Sequence, residues 1–161
     1  EIRCQLPNAK LRFLAPLTDD KILQESSIDF IFSHSVLKHV TRPEDCYKAS
    51  FKILTPGGVM SHNIDHTSHA ITRSWNGYYA IPDWLWSILR GGQTYLLNRL
   101  TSADHRSKIS ATRFEIIYED LVKSNRFDNN CIHPKVAENS VFTVKISTFL
   151  CRKSSGSYPT P

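Results

Sequence analysis

The alternation of apolar and polar positions predicts two short strands in the first part of the chain. Residues 11–15 form a brief alternating run that stops at Pro16, and residues 28–32 are apolar except for Asp29. A nearly continuous apolar strand is typical of a parallel sheet that is covered on both faces. The pattern therefore favours an α/β fold.

A helix and a third strand are predicted next. Residues 41–44 read as a capping box with proline in the first helical turn, and Tyr47 and Phe51 recur at helical spacing. The Pro-Gly-Gly sequence at 56–58 should end the helix, and residues 59–64 resume an apolar strand. Strand, helix, tight turn and strand in this order predict a right-handed βαβ crossover.

The C-terminal part predicts two helices and two strands. One helix should open at Pro82 with apolar side chains at Trp84, Leu85, Ile88 and Leu89, and another should run from an N-cap at Ser102 to about Thr112. Strands are expected over residues 114–118 and 141–150, joined by a polar loop, and they could form an antiparallel pair at a sheet edge.

Composition narrows the class of protein. The 161 residues are 40% hydrophobic and 22% charged, which suits one globular domain, and no apolar run approaches the roughly 20 residues that span a bilayer. The net charge of +5 would suit an anionic substrate, but the cations are scattered, so nucleic acid is disfavoured as a partner. The widely spaced cysteines, Cys4, Cys46, Cys131 and Cys151, indicate reduced thiols and a cytoplasmic protein.

Two ordered motifs carry a resemblance to a known family. Residues 28–40 read IDFIFSHSVLKHV, and residues 54–58 read LTPGG. This set resembles the fourth and fifth strands of class I S-adenosylmethionine-dependent methyltransferases, which typically show a D-x-I/V-x-S strand, a V-L/M-E-H-V turn and an L-x-P-G-G turn. The resemblance implies a Rossmann-like three-layer sandwich with strand order 3-2-1-4-5-7-6, an antiparallel last strand, and S-adenosyl-L-methionine as cofactor.

The same resemblance makes residues 11–15 the third strand and leaves no segment for the first two. We therefore expect residues 1–153 to be a partial methyltransferase domain, with residues 154–161 as a flexible tail. The glycine-rich loop and the acidic residue that would hold the cofactor ribose are missing in this assignment. Because the chain begins at Glu1 rather than methionine, we expect a fragment that binds the cofactor weakly and is inactive alone.

The resemblance also places the cofactor-binding residues. Ser33, His34 and Ser35 follow the fourth strand, and in open α/β sheets ligands bind beyond the carboxyl ends of the parallel strands. In the family these positions lie beside the methionine moiety. The alternative is that Ser33 and Ser35 only satisfy hydrogen bonds of the turn.

Four polar residues follow the fifth strand, on the substrate side of this fold: His62, Asp65, His66 and His69. A hydroxyl or amine acceptor must lose a proton, and histidine titrates near neutrality. We expect His66 or Asp65 to be the base, with His69 behind, and His62 to contact the acceptor. A metal site is disfavoured, because His62 and His66 would share one face of a strand while Asp65 points away.

The aromatic insert after the fifth strand should wall the acceptor pocket, with Trp75 and Asn76 contacting the acceptor. Trp84 and Trp86 could instead pack as a lid onto the sheet. Arg99 should bind a carboxylate or phosphate of the acceptor, or pair with an internal acid. The sequence does not decide between these partners.

Two positions depart from the family pattern. Lys38 stands where relatives have an acid, so either a contact of that acid is lost or position 38 is a surface site. Arg113 stands where relatives have glycine, and a left-handed turn at arginine costs on the order of 1 kcal/mol.

The function predicted is methyl transfer from S-adenosylmethionine to a small or medium acceptor. A divergent, non-catalytic methyltransferase-like binding module is the alternative, and Lys38 and Arg113 favour it slightly. The sequence leaves the acceptor and the oligomeric state open.

Overall fold

The computed structural model describes residues 23–93, 96–124 and 140–154. The strands and helices, in chain order, are β1 Ile28–His34, α1 Pro43–Ile53, β2 Leu54–Asp65, α2 Asp83–Arg90, α3 Ser102–Ala111, β3 Phe114–Lys123 and β4 Val144–Lys153. Single 3-10 turns occupy Leu37–His39, Gly77–Ala80 and Ser140–Thr143. The predicted strand over residues 11–15 lies outside the described residues, as do nearly all of the predicted 124–139 loop and the expected tail.

The described strands form one mixed sheet in the order β1-β2-β4-β3. β1 and β2 are parallel, with Ile31 opposite Met60, whereas β4 is antiparallel to both of its neighbours. This is the predicted order of the fourth, fifth, seventh and sixth strands, with the seventh reversed. The predicted α/β, Rossmann-like fold is confirmed.

The Pro-Gly-Gly segment at 56–58 lies inside a strand rather than in a turn before one. α1 passes directly into β2 at Leu54, and the β1–β2 register shifts near this point. Gly57 has a φ of 78°, and a Cβ on Gly58 would lie 2.9 Å from the carbonyl oxygen of Thr55. The glycines are needed because the bulge folds the backbone tightly onto itself.

Helix caps differ from the sequence prediction by one residue each. The N-cap of α1 is Arg42, which makes no side-chain capping bond, and the Thr41 hydroxyl accepts a hydrogen bond from Arg90 instead. The predicted capping box at this helix is therefore wrong. α3 does carry one, between Thr101 and Asp104, starting one residue before the predicted cap.

The main core lies between the sheet and the helices α1 and α3. Its buried members are Leu37, Tyr47, Leu54, Met60, Ile64, Ile109, Phe114, Phe149 and Cys151. Tyr47 comes from the predicted apolar side of α1, and alternate residues of β2 point into this core. The core thus fixes which face of β2 is left for the polar residues at its end.

The helix α2 packs through a different residue from those predicted. Trp86 is buried against Tyr78 and Leu97 in a separate small cluster, whereas Trp84 is 67% exposed and Ile88 is 68% exposed. Trp86 is therefore packed inside this separate cluster, whereas Trp84 is not packed. None of the helices within the described residues has the length and apolar character needed to cross a membrane.

Candidate active site

The carboxyl ends of the parallel strands β1 and β2 lie side by side and form a polar rim. Ser33 pairs with His62 and His34 with Asn63 in the last steps of the ladder. Just beyond, the backbone N–H of Ser35 donates to the carbonyl of Asn63 at 2.8 Å, and Ser35 takes a left-handed φ of 55°. The chain leaving β1 is thereby turned across the end of β2.

The carboxylate of Asp65, the last residue of β2, collects polar groups at this rim. Its Oδ2 lies 2.5 Å from Nζ of Lys38 and 2.9 Å from Nε2 of His69. The N–H of Thr67 donates to Oδ1 of Asp65 at 2.8 Å, and the Thr67 hydroxyl donates to Oδ2 at 3.1 Å. Burial raises the pKa of Asp65, but the hydrogen bonds from Lys38, His69 and Thr67 outweigh burial and hold that pKa well below its usual range.

Lys38 is 4% exposed, so the surface alternative for this position is wrong. Burial lowers the pKa of its ammonium, and the Asp65 carboxylate opposes that shift. The turn carrying the lysine is held by Asn98, whose Nδ2 donates to the carbonyls of Leu37 and Val40, both at 2.8 Å. No sequence pattern predicts this role of Asn98, because its partners are backbone carbonyls about 60 residues away.

His69 is the solvent-exposed member of the group of residues that contact the Asp65 carboxylate. Its backbone φ is 49° and that of Ala70 is 64°, so two successive non-glycine residues are left-handed. Such strain is often concentrated at functional sites. The ring also contacts Nζ of Lys38, and it packs edge-on to His39 with centroids 5.7 Å apart.

A surface cavity of about 460 Å³ adjoins His69. It is lined by residues 67–73 and by Trp75. The indole Nε1 of Trp75 is buried and has no hydrogen-bond partner among the described residues, while Nζ of Lys145 lies 5.7 Å from the Trp75 ring. The cavity thus joins a histidine and an aromatic wall, while the indole N–H is buried.

His66 lies away from this cavity, although the sequence named it as a candidate base. It is 2% exposed, and its ring nitrogens contact the carbonyl of Leu100 at 3.2 Å and the hydroxyl of Ser147 at 2.8 Å. Burial lowers the pKa of His66 to about 4. Both nitrogens are occupied inside the fold, so the ring is placed as a structural group.

His62 occupies the same buried face of β2 as His66, as the strand alternation predicts. Its Nδ1 lies 2.7 Å from Oγ of Ser33, and burial lowers the pKa of His62 to about 4. His105 of α3 lies beside these histidines, with its Nδ1 2.7 Å from the hydroxyl of Tyr47, and burial lowers its pKa to about 3. His62 is therefore oriented into the core and not into the cavity.

The remaining predicted acceptor contacts are internal. Asn76 is fully buried, and its Nδ2 donates to the carbonyl of Phe142 at 3.1 Å. The guanidinium of Arg99 donates to backbone carbonyls of the 79–81 segment and lies 3.4 Å from the carboxylate of Asp83. Of the two sequence alternatives for Arg99, the internal acid is the one in place. Trp75 is the member of this group that reaches a cavity.

The three residues predicted to bind the cofactor, Ser33, His34 and Ser35, differ in whether their side chains are already hydrogen-bonded inside the fold. The hydroxyl of Ser33 is committed to His62, whereas the exposed imidazole of His34 has its Nδ1 3.2 Å from the hydroxyl of Ser35. His34 and Ser35 are consequently the side chains that a ligand at the rim could reach. Within the described ranges, no group of three or more His, Cys, Asp or Glu residues is arranged to hold a metal ion.

The fold of this chain is similar to that of several solved proteins. It is similar to an S-adenosylmethionine-dependent methyltransferase from Mesorhizobium loti, at 15% identity and a TM-score of 0.52, covering 81% of this chain and 63% of that one. It also matches a putative sarcosine dimethylglycine methyltransferase from Galdieria sulphuraria, at 14% identity and 0.51, covering 82% and 55%. A third match is the [4+2]-cyclase SpnF, at 15% and 0.51, covering 82% and 52%.

The described sheet has a Rossmann-like α/β fold that is similar to the fold of these solved proteins. The sequence agrees, because residues 3–61 match the family model described as a methyltransferase domain. This match covers less than half of the chain, and the solved structures named above are similar to it in fold. No curated protein matches the chain. It spans roughly half to two thirds of the three solved structures named above.

Proposed function

We propose that this chain forms the acceptor side of an S-adenosylmethionine-dependent methyltransferase acting on a small or medium acceptor. The observation that carries the proposal is the position of Asp65. Its carboxylate, at the end of β2, holds His69 beside an open cavity and close to the end of β1. In open α/β sheets this rim is where ligands bind.

The rim fits one end of the cofactor. His34 and Ser35 offer an exposed imidazole and a hydroxyl where the family binds the methionine moiety. When bound, S-adenosylmethionine supplies a methyl group on a positively charged sulfur. We further propose that residues outside this chain hold the adenosine end, so that this chain alone binds the cofactor weakly and is inactive.

The role of the protein in methyl transfer is to position the acceptor and to take up its proton. Nε2 of His69 contacts both the Asp65 carboxylate and Nζ of Lys38. In the tautomer in which Nε2–H donates to Asp65, and does not accept from Lys38, Nδ1 carries the lone pair and can accept a proton from an acceptor hydroxyl or amine. Asp65 fixes the ring orientation and stabilises the imidazolium that forms. We assign the base to His69 and a positioning role to Asp65, while the hydrogen bonds of His66 make it structural.

The cavity indicates the kind of acceptor. Trp75 offers an aromatic wall, and Arg73 adds a cation to the lining. An acceptor with an anionic group near its reacting atom would pair with Arg73. This agrees with the anionic acceptor that the net charge favours.

The assay measures transfer of tritium from labelled S-adenosylmethionine to the small molecules of a cell extract from which proteins have been removed. This chain and the full translation product of its gene are measured in parallel. In the full product, we expect His69→Gln to lower kcat by about 10²–10⁴ with the KM for the cofactor kept. His34→Gln should instead raise that KM. Equal rates for His69→Gln and the unaltered protein at neutral pH would remove His69 as the base.

A non-catalytic binding module remains the second candidate, because Lys38 neutralises the carboxylate at the centre of the rim. The fold alone does not decide, since one structural neighbour is named as a [4+2]-cyclase. The same labelling assay separates the candidates. A binding module would retain S-adenosylhomocysteine in calorimetry and transfer no label in either form of the protein.

A further inference from the structure

A second cavity, of about 440 Å³, lies at the opposite end of the sheet from the rim. It is bounded by the segment before β1, the last turns of α1 and α3, and the end of β4. Four cations line it, Lys48, Lys52, Arg113 and Lys153, against the single carboxylate of Glu25. Phe51 and Ala111 supply an apolar part of the wall.

We propose that this cavity binds a small phosphate ester whose other part is an apolar ring. Clustered cations favour a group of high negative charge, and guanidinium and ammonium groups form their strongest hydrogen bonds with such oxygens. The apolar wall favours a ligand that is more than a free anion. This site is separate from the methyl-transfer rim and does not depend on the proposed activity.

Arg113 is the first reason to assign a ligand. It has a φ of 66°, in the left-handed region that favours glycine. The chain therefore keeps the left-handed turn and accepts its strain while placing a guanidinium at the cavity. Strained residues of this kind often mark a functional position.

Lys153 is the second reason. Its Nζ donates to the carbonyl of Leu54 at 2.6 Å and lies 4.9 Å from the ring centroid of Phe51. Phe51 is itself fixed edge-on against Phe114, with centroids 5.2 Å apart. A cation held over an aromatic ring by a backbone contact is already ordered, so a ligand need not immobilise it on binding.

Lys52 and Glu25 explain how the cavity can admit an anion. Their ion pair is 3.3 Å long, and both side chains are more than half exposed. Exposed pairs of this kind contribute little and are readily exchanged for another partner. A phosphate group can therefore take the place of the Glu25 carboxylate beside Lys52.

The test is calorimetric titration of the chain with phenyl phosphate, inorganic phosphate and phenol. We expect phenyl phosphate to bind best, inorganic phosphate more weakly, and phenol least. Lys48→Gln should weaken phenyl phosphate about tenfold. The matched control Lys123→Gln removes the same charge at the far end of β3, where the residue is exposed, and should leave the affinity unchanged.

Arg113→Gly gives a second, independent readout. It removes the guanidinium and relieves the left-handed backbone, so the melting temperature should rise while the affinity for phenyl phosphate falls. A purely structural arginine would not weaken binding on replacement. Equal losses in the Lys48→Gln and Lys123→Gln variants, or no binding of phenyl phosphate to the unaltered chain, would overturn the assignment.

Discussion

The ammonium of Lys38 lies 2.5 Å from Oδ2 of Asp65, and the lysine is almost fully buried. The two residues come from the turn after β1 and the end of β2, so this ion pair joins the ends of the two parallel strands. A buried charge is tolerated only when it is paired and hydrogen-bonded. The pair therefore fixes the shape of the rim, and each partner depends on the other.

Replacing Lys38 with methionine should destabilise the fold by about 1–3 kcal/mol, because the Asp65 carboxylate loses its ammonium partner in a partly buried place. Urea unfolding followed by circular dichroism measures this loss. The matched control is Lys52→Met, whose ion pair with Glu25 is exposed and should contribute less than about 0.5 kcal/mol. Adding Asp65→Asn to Lys38→Met should restore part of the stability. Equal losses for the two lysines would contradict the role assigned to Lys38.

The buried histidines should make the fold sensitive to mild acid. Burial lowers the pKa to about 4 in His62 and His66, and to about 3 in His105. As the pH falls below about 6.5, the unfolded chain takes up protons that the folded chain cannot. Between pH 7.5 and 5 we expect a loss of about 1–2 kcal/mol per histidine, measured as the free energy of unfolding in urea.

Both effects lower stability as the pH falls, and the pH range in which each occurs separates the histidines from Asp65. The depressed pKa of Asp65 contributes stability that is fully present above the unfolded value near 4 and is lost only as the pH falls further. His105→Gln should therefore flatten the dependence between pH 7.5 and 5 by about one third. Stability that stays level over that interval would show that the three rings are not buried as neutral groups.

Replacing a glycine of the bulge should destabilise the fold more than replacing a glycine that has open space around it. A Cβ at Gly58 would lie 2.9 Å from a backbone oxygen, whereas one at Gly92 would meet no atom within 4 Å. We expect Gly58→Ala to destabilise the fold by about 1–3 kcal/mol and Gly92→Ala to change it by less than about 0.5 kcal/mol. Thermal melts of both variants test this, and a neutral Gly58→Ala would mean that the bulge is not as tight as described.

Hydrophobic periodicity and the ordered motifs were sufficient to predict the sheet. They predicted the strand that became β1 and the parallel pairing of β1 with β2. The apolar run did not predict burial on both faces, because Phe30 is 56% exposed and Phe32 is 62% exposed in the described structure. The predicted ends of helices and strands were wrong where local backbone geometry, and not the hydrophobic pattern, decides where an element begins. Residues 56–58 are a bulge within β2, and the helix cap at Thr41 is replaced by Arg42. A Pro-Gly-Gly sequence is equally compatible with a turn.

The candidate site was predicted less completely, because its contacts depend on which way each side chain points. Alternation along β2 puts His62 and His66 on one face, but only the packing of α3 makes that face a closed core. The ion pair between Lys38 and Asp65 spans 27 residues and departs from the family motif. No pattern in the sequence could have predicted it.

The most direct test of the central claim is a titration with S-adenosylhomocysteine followed by backbone amide NMR, which detects even weak, millimolar binding. If the rim of β1 and β2 holds the cofactor, the amides of Ser33, His34 and Ser35 should shift first, with smaller changes at His69 and none at Lys123. Shifts confined to the opposite end of the sheet, around Lys48 and Arg113, or no shifts at saturating ligand, would contradict the account.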